Sequence, residues 1–209
     1  MKTRRKFLSD LSKLVAGLFI SNSLGLESLA GEKENAELLY DRKLRESIER
    51  HEGKRYWVYD DATGKRLKLG EKAKGNRTIG IGFNLERKNA KKEIEELGLD
   101  YYTIYFGRQA LTDNQISYLF NKDLKTAIND ARKYLGKKFD RLPREAQRVV
   151  TEMSFNLGYS RLRGFKKLKQ ALLTGNYERA AEEMKNSRWY YQVGNRAREL
   201  VERMRKLAK

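Results

Sequence analysis

The residues with the clearest chemical potential are Glu52, the adjacent pair Asp60 and Asp61, and Thr78. The chain has no cysteine, so thiolate nucleophiles, thiolate metal sites and disulfides are excluded. His51 is the only histidine, which rules out a multi-histidine metal site and leaves a Ser-His-Asp triad one possible base. Carboxylates remain. Glu52 falls four residues after Ile48 and eight after Leu44, so it leaves a helix on the apolar side, partly shielded from water. The aspartates follow one strand later, at a turn. A shielded glutamate near a wetter aspartate is the layout for glycoside hydrolysis. One carboxyl donates a proton to the leaving oxygen, and the other stays ionised and attacks or positions water. Thr78, on the opposite strand, could hold that water. The plain alternative is a helix-end glutamate beside turn-forming aspartates.

Several elements must position these groups. Residues 36–52, AELLYDRKLRESIERHE, have helical apolar spacing, and Gly53 supplies a stop. RYWVY reads as a strand, KRLKL as a second, and Thr78 to Phe83 as a third. In the third, Ile79, Ile81 and Phe83 share one face; Thr78, Gly80 and Gly82 share the other. That nearly bare face suits a cleft floor, or else marks a tightly packed sheet. The remainder is helical: Asn89 to Leu97, a capping box at Thr112-Asp113-Asn114-Gln115 opening a long helix to Gly136, a helix from Pro143 that ends at Gly158, and shorter helices at 165–173, 177–184 and 195–207. The fold class is α+β and mostly helical. A small β-containing lobe, about 53–110, is joined by the long helix to a helical lobe, about 113–209, which also takes in the helix 36–52.

Gly80-Ile81-Gly82 is only a fragment of a dinucleotide fingerprint, and His51-Glu52 lacks the second histidine of a zinc-protease motif. Lys and Arg number 46 against 28 Asp and Glu, giving a formal charge of +18. Such a charge favours polyanions: nucleic acid, an anionic membrane, or a wall carrying carboxylates and phosphates. The first thirty residues read as an export signal: a basic start, an apolar stretch from Leu14 to Leu26, and small residues Ser28 and Ala30 before a cut at Gly31. Arg4-Arg5 followed by Phe7-Leu8 resembles a twin-arginine signal. Export argues against an intracellular nucleic-acid role. The mature chain, 31–209, is expected in the periplasm or outside the cell.

Ordered motifs then extend the picture. Glu52-Gly53, Val58-Tyr59-Asp60-Asp61 and Thr78-Ile79-Gly80-Ile81-Gly82 resemble the active-site segment of the phage-type lysozymes, glycoside hydrolase family 24. The resemblance continues through Leu111-Thr112-Asp113 to Asp123, Phe155-Asn156-Leu157-Gly158, Gly164-Phe165, Ser187-Arg188-Trp189-Tyr190 and Asn195-Arg196-Ala197. It implies a two-lobed lysozyme-like fold. The family's acid falls on Glu52, and its aspartate on Asp61, nine residues on. Its water-associated threonine falls on Thr78, and the arginine that pairs with the glutamate on Arg196. Sugar contacts fall on Asn84, Phe155, Leu168 and Glu183, with Asn156 nearby. Asp60 is then a solvated turn residue. The chain departs from the pattern in three places. The hairpin between Asp61 and Thr78 is longer and basic, Phe83 stands where the pattern has histidine opposite Asp123, and Val193-Gly194 replaces Thr-Pro.

The resemblance, taken with the export signal, points to an exported, monomeric endo-acting muramidase acting on peptidoglycan, with no metal or organic cofactor. Anionic wall polymers or a membrane surface would be held by charge, with the basic hairpin as the grip. A lytic transglycosylase would use the glutamate without the Asp–Thr pair. A non-catalytic cationic wall- or membrane-binding protein would use neither.

Overall fold

The computed structural model describes residues 37–209; the signal reading of residues 1–30 and the cut at Gly31 lie outside the described residues. Helix α1 (Arg42–Glu52) starts where the Asp41 carboxylate accepts a 3.0 Å hydrogen bond from the Leu44 amide. Residues 37–39 form a separate helical turn, so the run expected from residue 36 is interrupted at Asp41. Leu44 and Ile48 are fully buried, and Gly53, at φ 72°, ends the helix.

The sheet has three antiparallel strands in the order β1 (Arg55–Asp60), β2 (Arg77–Gly80), β3 (Phe83–Asn84). Two strand expectations need correcting. KRLKL forms no strand, only a bridge between Tyr59 and Arg66. Its single buried residue is Leu67, while Leu69 is exposed, and one apolar anchor does not sustain a ladder. Nor is Thr78 to Phe83 one strand. Gly80 and Gly82 take φ of 67° and 74°, so the chain reverses between β2 and β3. The single-strand face pattern is lost with it.

Helices α2 (Ala90–Glu95) and α3 (Tyr101–Tyr105) follow, the latter not foreseen. The long helix α4 (Asp113–Leu135) carries the expected capping box at Thr112 and Gln115. It packs most extensively on α5 (Arg144–Leu162), whose Ala146, Val149, Val150 and Met153 are all fully buried. Gly158, at φ 67° and ψ 164°, leaves helical geometry at the expected end of the helix from Pro143, and a second short helical stretch runs on to Leu162. The remaining helices are α6 (Lys166–Leu173), α7 (Tyr177–Lys185), α8 (Arg188–Val193) and α9 (Asn195–Arg205). Helix α8 was not apparent from periodicity; the Ser187 hydroxyl, accepting from the Tyr190 amide, starts it. The fold is a mostly helical, lysozyme-like α+β fold.

One exchange holds the sheet side to α4. Arg87 pairs with Asp123 at 2.7 Å and also with Glu93, and its guanidinium lies 4.1 Å over the Phe83 ring. Where the resemblance expects a histidine opposite Asp123, Phe83 supplies a ring and Arg87, four residues further on, reaches the acid. Burial raises the Asp123 carboxyl above its ordinary range, against the pull of Arg87.

Candidate active site

Glu52 is the last residue of α1, and its side chain keeps 23% of its exposure. Arg196, near the start of α9, donates to its Oε1 at 2.5 Å. The other Arg196 nitrogens, Nε and Nη2, are buried without a protein partner, so the guanidinium depends on Glu52. The two helices are joined further along. Glu199 meets Arg50 at 2.7 Å and His51 Nε2 at 3.3 Å. Arg203 meets the fully buried Glu152 at 2.5 Å, and the Ser47 hydroxyl donates to the same acid at 2.9 Å. Sequence reading missed this Glu152–Arg203 pair. Its available signal was a glutamate set among the core residues Val149, Val150 and Met153.

Space for the Glu52 carboxylate comes from the turn between β2 and β3. A Cβ at Gly82 would stand 2.9 Å from Glu52 Oε2, whereas one at Gly80 would meet only Ile116, at 3.6 Å. One of the two glycines therefore belongs to the carboxylate and the other to the packing against α4.

Asp60 and Asp61 separate as strand alternation requires, but the expected environment of Asp60 is reversed. Asp60 is 3% exposed, not solvated. It accepts from the amides of Ala62, Lys74 and Gly75 at 3.0, 3.1 and 2.9 Å and from the Thr63 hydroxyl at 3.0 Å. Burial alone would raise its carboxyl; these donors outweigh burial and hold it below the ordinary range. Asp60 thus ties both ends of the long hairpin together. Asp61 is exposed, and its two oxygens accept from the Asn76 amide at 2.7 Å and the Asn76 side chain at 2.8 Å. A Cβ at Gly75 would collide with Asp61 Oδ1, so that position must lack one.

Thr78 is 3% exposed, and its hydroxyl donates to the Asn76 carbonyl at 3.4 Å. Directly across the ladder stands Tyr59, 5% exposed. Arg55 lies over the Tyr59 ring, 4.3 Å from its centroid, and donates to the Glu52 carbonyl at 3.2 Å. Burial is the main influence raising the Tyr59 phenol above its ordinary range. Arg55 opposes it, and Glu52 and Asp61 both add to it, so both carboxylates act on this hydroxyl. Tyr59 and Thr78 face each other across the ladder, Asp61 follows two residues beyond Tyr59, and Arg55 ties the Tyr59 ring to the Glu52 carbonyl.

The positions read as sugar contacts have varied surroundings. Asn84 is half-buried and accepts from the Glu86 amide at 2.7 Å. Phe155 meets Phe120 edge-on, and Asn156 accepts from the Trp189 indole at 2.9 Å. Leu168 and Glu183 both line a cavity of about 510 Å³ together with Phe165 and Trp189. Leu168 is 1% exposed and belongs to the core, while Glu183 pairs with Arg179 at 2.7 Å.

A model of the phage lysozyme family matches residues 49–206. Two proteins of Dictyostelium discoideum, described as probable T4-type lysozymes 1 and 2, are each 27% identical over 150 residues, covering 68% of this chain and 87% of theirs. The pre-baseplate central spike protein Gp5 of Enterobacteria phage T4 is 27% identical over 142 residues, covering 64% of this chain and 24% of that protein. The family match takes in Glu52, Asp61, Thr78 and Arg196 together, and the chain belongs to the phage lysozyme family, as a lysozyme-type peptidoglycan hydrolase.

Proposed function

We propose that the protein is an endo-acting N-acetylmuramidase. It hydrolyses the β-1,4 bond between N-acetylmuramic acid and N-acetylglucosamine in peptidoglycan. Glu52 gives a proton to the leaving oxygen. Asp61, with Thr78, holds the water that attacks the anomeric carbon from the opposite face, and the product is inverted. Arg196 orients Glu52. The observation that carries this reading is the pairing of Tyr59 with Thr78 next to the Asp61 turn, with Arg55 joining the Tyr59 ring to the end of the helix that holds Glu52, and Arg196 on the Glu52 carboxylate. One carboxylate is half-buried against an arginine and the other is exposed and held by Asn76.

Export, read from residues 1–30, would deliver the enzyme to the wall. The hairpin would then serve as its grip. Asp60 and the buried Leu67 order it, Arg66 stacks on Trp57 at 3.7 Å, and Lys65, Lys68, Lys72 and Lys74 are exposed. Held in this way, the lysines present a dense positive surface to wall polymers.

Digestion of defined peptidoglycan, followed by identification of the new ends, tests the reaction. The expected products are reducing N-acetylmuramic acid ends, and Glu52→Gln should abolish their release while remaining folded. Anhydromuramic ends would overturn hydrolysis in favour of transglycosylation. Full activity in Glu52→Gln would overturn the assignment of the acid.

A further inference from the structure

We infer that Tyr59 completes the water site by donating its phenolic hydrogen to the attacking water, an inference that rests on the muramidase reading above. Tyr59 and Thr78 are directly paired across β1 and β2, and Asp61 is two residues beyond Tyr59 on the same strand direction. Paired residues of an antiparallel ladder project to one face, so the Tyr59 ring shares the face of Thr78, and Arg55 links that ring to the Glu52 carbonyl.

Donor and acceptor capacity decides its role. Arg55 is the cation that holds the Tyr59 ring, and a guanidinium has no acceptor. Whatever Arg55 gives the phenol oxygen, the phenol hydrogen is left for another group. Among the described residues the Tyr59 hydroxyl donates to no protein acceptor, and each Asp61 oxygen takes one hydrogen from Asn76 and keeps a second lone pair for a water. The hydroxyl of Thr78 gives its own hydrogen to the Asn76 carbonyl at 3.4 Å, so toward a water its oxygen acts as an acceptor. Burial and the two carboxylates keep the phenol protonated, so it remains a donor across the working pH range.

A water placed among these groups has a fourfold arrangement. It donates one hydrogen to Asp61 and one to Thr78. It accepts one from Tyr59, which leaves a single lone pair to face the anomeric carbon. In the reaction that lone pair forms the new carbon–oxygen bond, and the hydrogen toward Asp61 passes to its carboxylate. The glycosidic bond breaks with its electron pair on the leaving oxygen, which takes the Glu52 proton. Without Tyr59 the water has two free lone pairs and rotates between them, so a smaller fraction is aligned for attack.

Tyr59→Phe keeps the ring beneath Arg55 and removes only the hydroxyl. The expected result on purified soluble peptidoglycan fragments is a kcat about 10- to 100-fold lower, the range of one hydrogen bond to a reacting group, with KM within about two-fold. The melting temperature and both limbs of the pH profile should stay in place, because neither carboxylate loses a ligand. An unchanged kcat, or a rise in KM with kcat intact, would overturn the inference. So would displaced pH limbs, which would place the hydroxyl on a carboxylate rather than on water. Tyr59→Leu, which also removes the ring, should lose stability as well as rate; if Tyr59→Phe unfolds just as much, the hydroxyl is structural and the inference fails. A wild-type protein that releases no reducing ends would instead refute the muramidase reading itself.

Discussion

Arg196 and Glu52 stand 144 residues apart in the chain and 2.5 Å apart in the fold. The pair joins the end of α1 to the start of α9, and Arg196 is 8% exposed at its side chain. Its desolvation offsets much of the attraction it gains, so the pair is better suited to orientation than to stability. Arg196→Met should lower kcat/KM by about 10- to 100-fold, the loss of one charge-assisted contact. Stability should change by no more than about 1 kcal/mol, since an apolar side chain of similar size replaces a buried charge. Wall-clearing rates and chemical denaturation measure the two quantities. Unimpaired clearing in a destabilised variant would contradict this division.

Gly82 and Gly80 offer a matched comparison. Both have positive φ, so alanine at either should cost about 1–2 kcal/mol from the backbone. Only at residue 82 does the new Cβ press on Glu52. Gly82→Ala should therefore lose activity on the order of 100-fold beyond its stability loss, because small displacements of a reacting group have large effects. Gly80→Ala should be comparably destabilised and far more active. Equal activities would show that Glu52 moves aside without consequence.

Asp60 gives the hairpin an acid-sensitive clasp. Its folded carboxyl is held below the ordinary range, so its stabilisation is complete above the unfolded value of about 4 and is lost as pH falls through the lower folded value. Protection factors at Ala62, Lys74 and Gly75 should fall on acidification in that window, ahead of those of the helical core. Asp60→Ala should show fast exchange at these amides already at neutral pH. Retained protection there would mean that the turn holds without the carboxylate.

Arg87 is the counter-charge of a largely buried acid, Asp123. Arg87→Met should destabilise by about 2–4 kcal/mol at pH 7, toward the low side for breaking a buried pair because Asp123 and Glu93 retain some solvent contact. Asp123 has a raised carboxyl, so the ionised form is the disfavoured one. Its penalty is present above the folded value and absent below the ordinary one of about 4. The deficit of the variant should therefore shrink as pH falls toward 4. A deficit that grows with acid would contradict the sign.

The hairpin lysines should matter at low salt only. Replacing Lys65, Lys68, Lys72 and Lys74 with glutamine should weaken sedimentation with purified wall at low ionic strength and have little effect at about 1 M salt, where the screening length is about 3 Å. An unaltered salt dependence would remove the hairpin from wall binding.

Local patterns carried a good deal of this protein. The apolar spacing of Leu44 and Ile48 placed Glu52 on the shielded side of α1, and Thr112 with Gln115 marked the start of α4. Both features depend only on residues within two or three turns of each other, where helix periodicity and capping operate. The family's ordered motifs pointed to Arg196, which no local pattern could link to Glu52. Tertiary structure decided the rest. Asp60 looked like a solvated turn residue because its donors at Lys74 and Gly75 lie fourteen and fifteen positions away. The segment from Thr78 to Phe83 looked like one strand because alternation does not register glycines at positive φ. The Arg87–Asp123 pair and the Glu152–Arg203 pair each join distant segments, and only packing brings charges of opposite sign into the same desolvated space. Tyr59 is the sharpest case. Its residue type suits a strand anywhere, and only the pairing with Thr78 and the ring contact with Arg55 give it a chemical position.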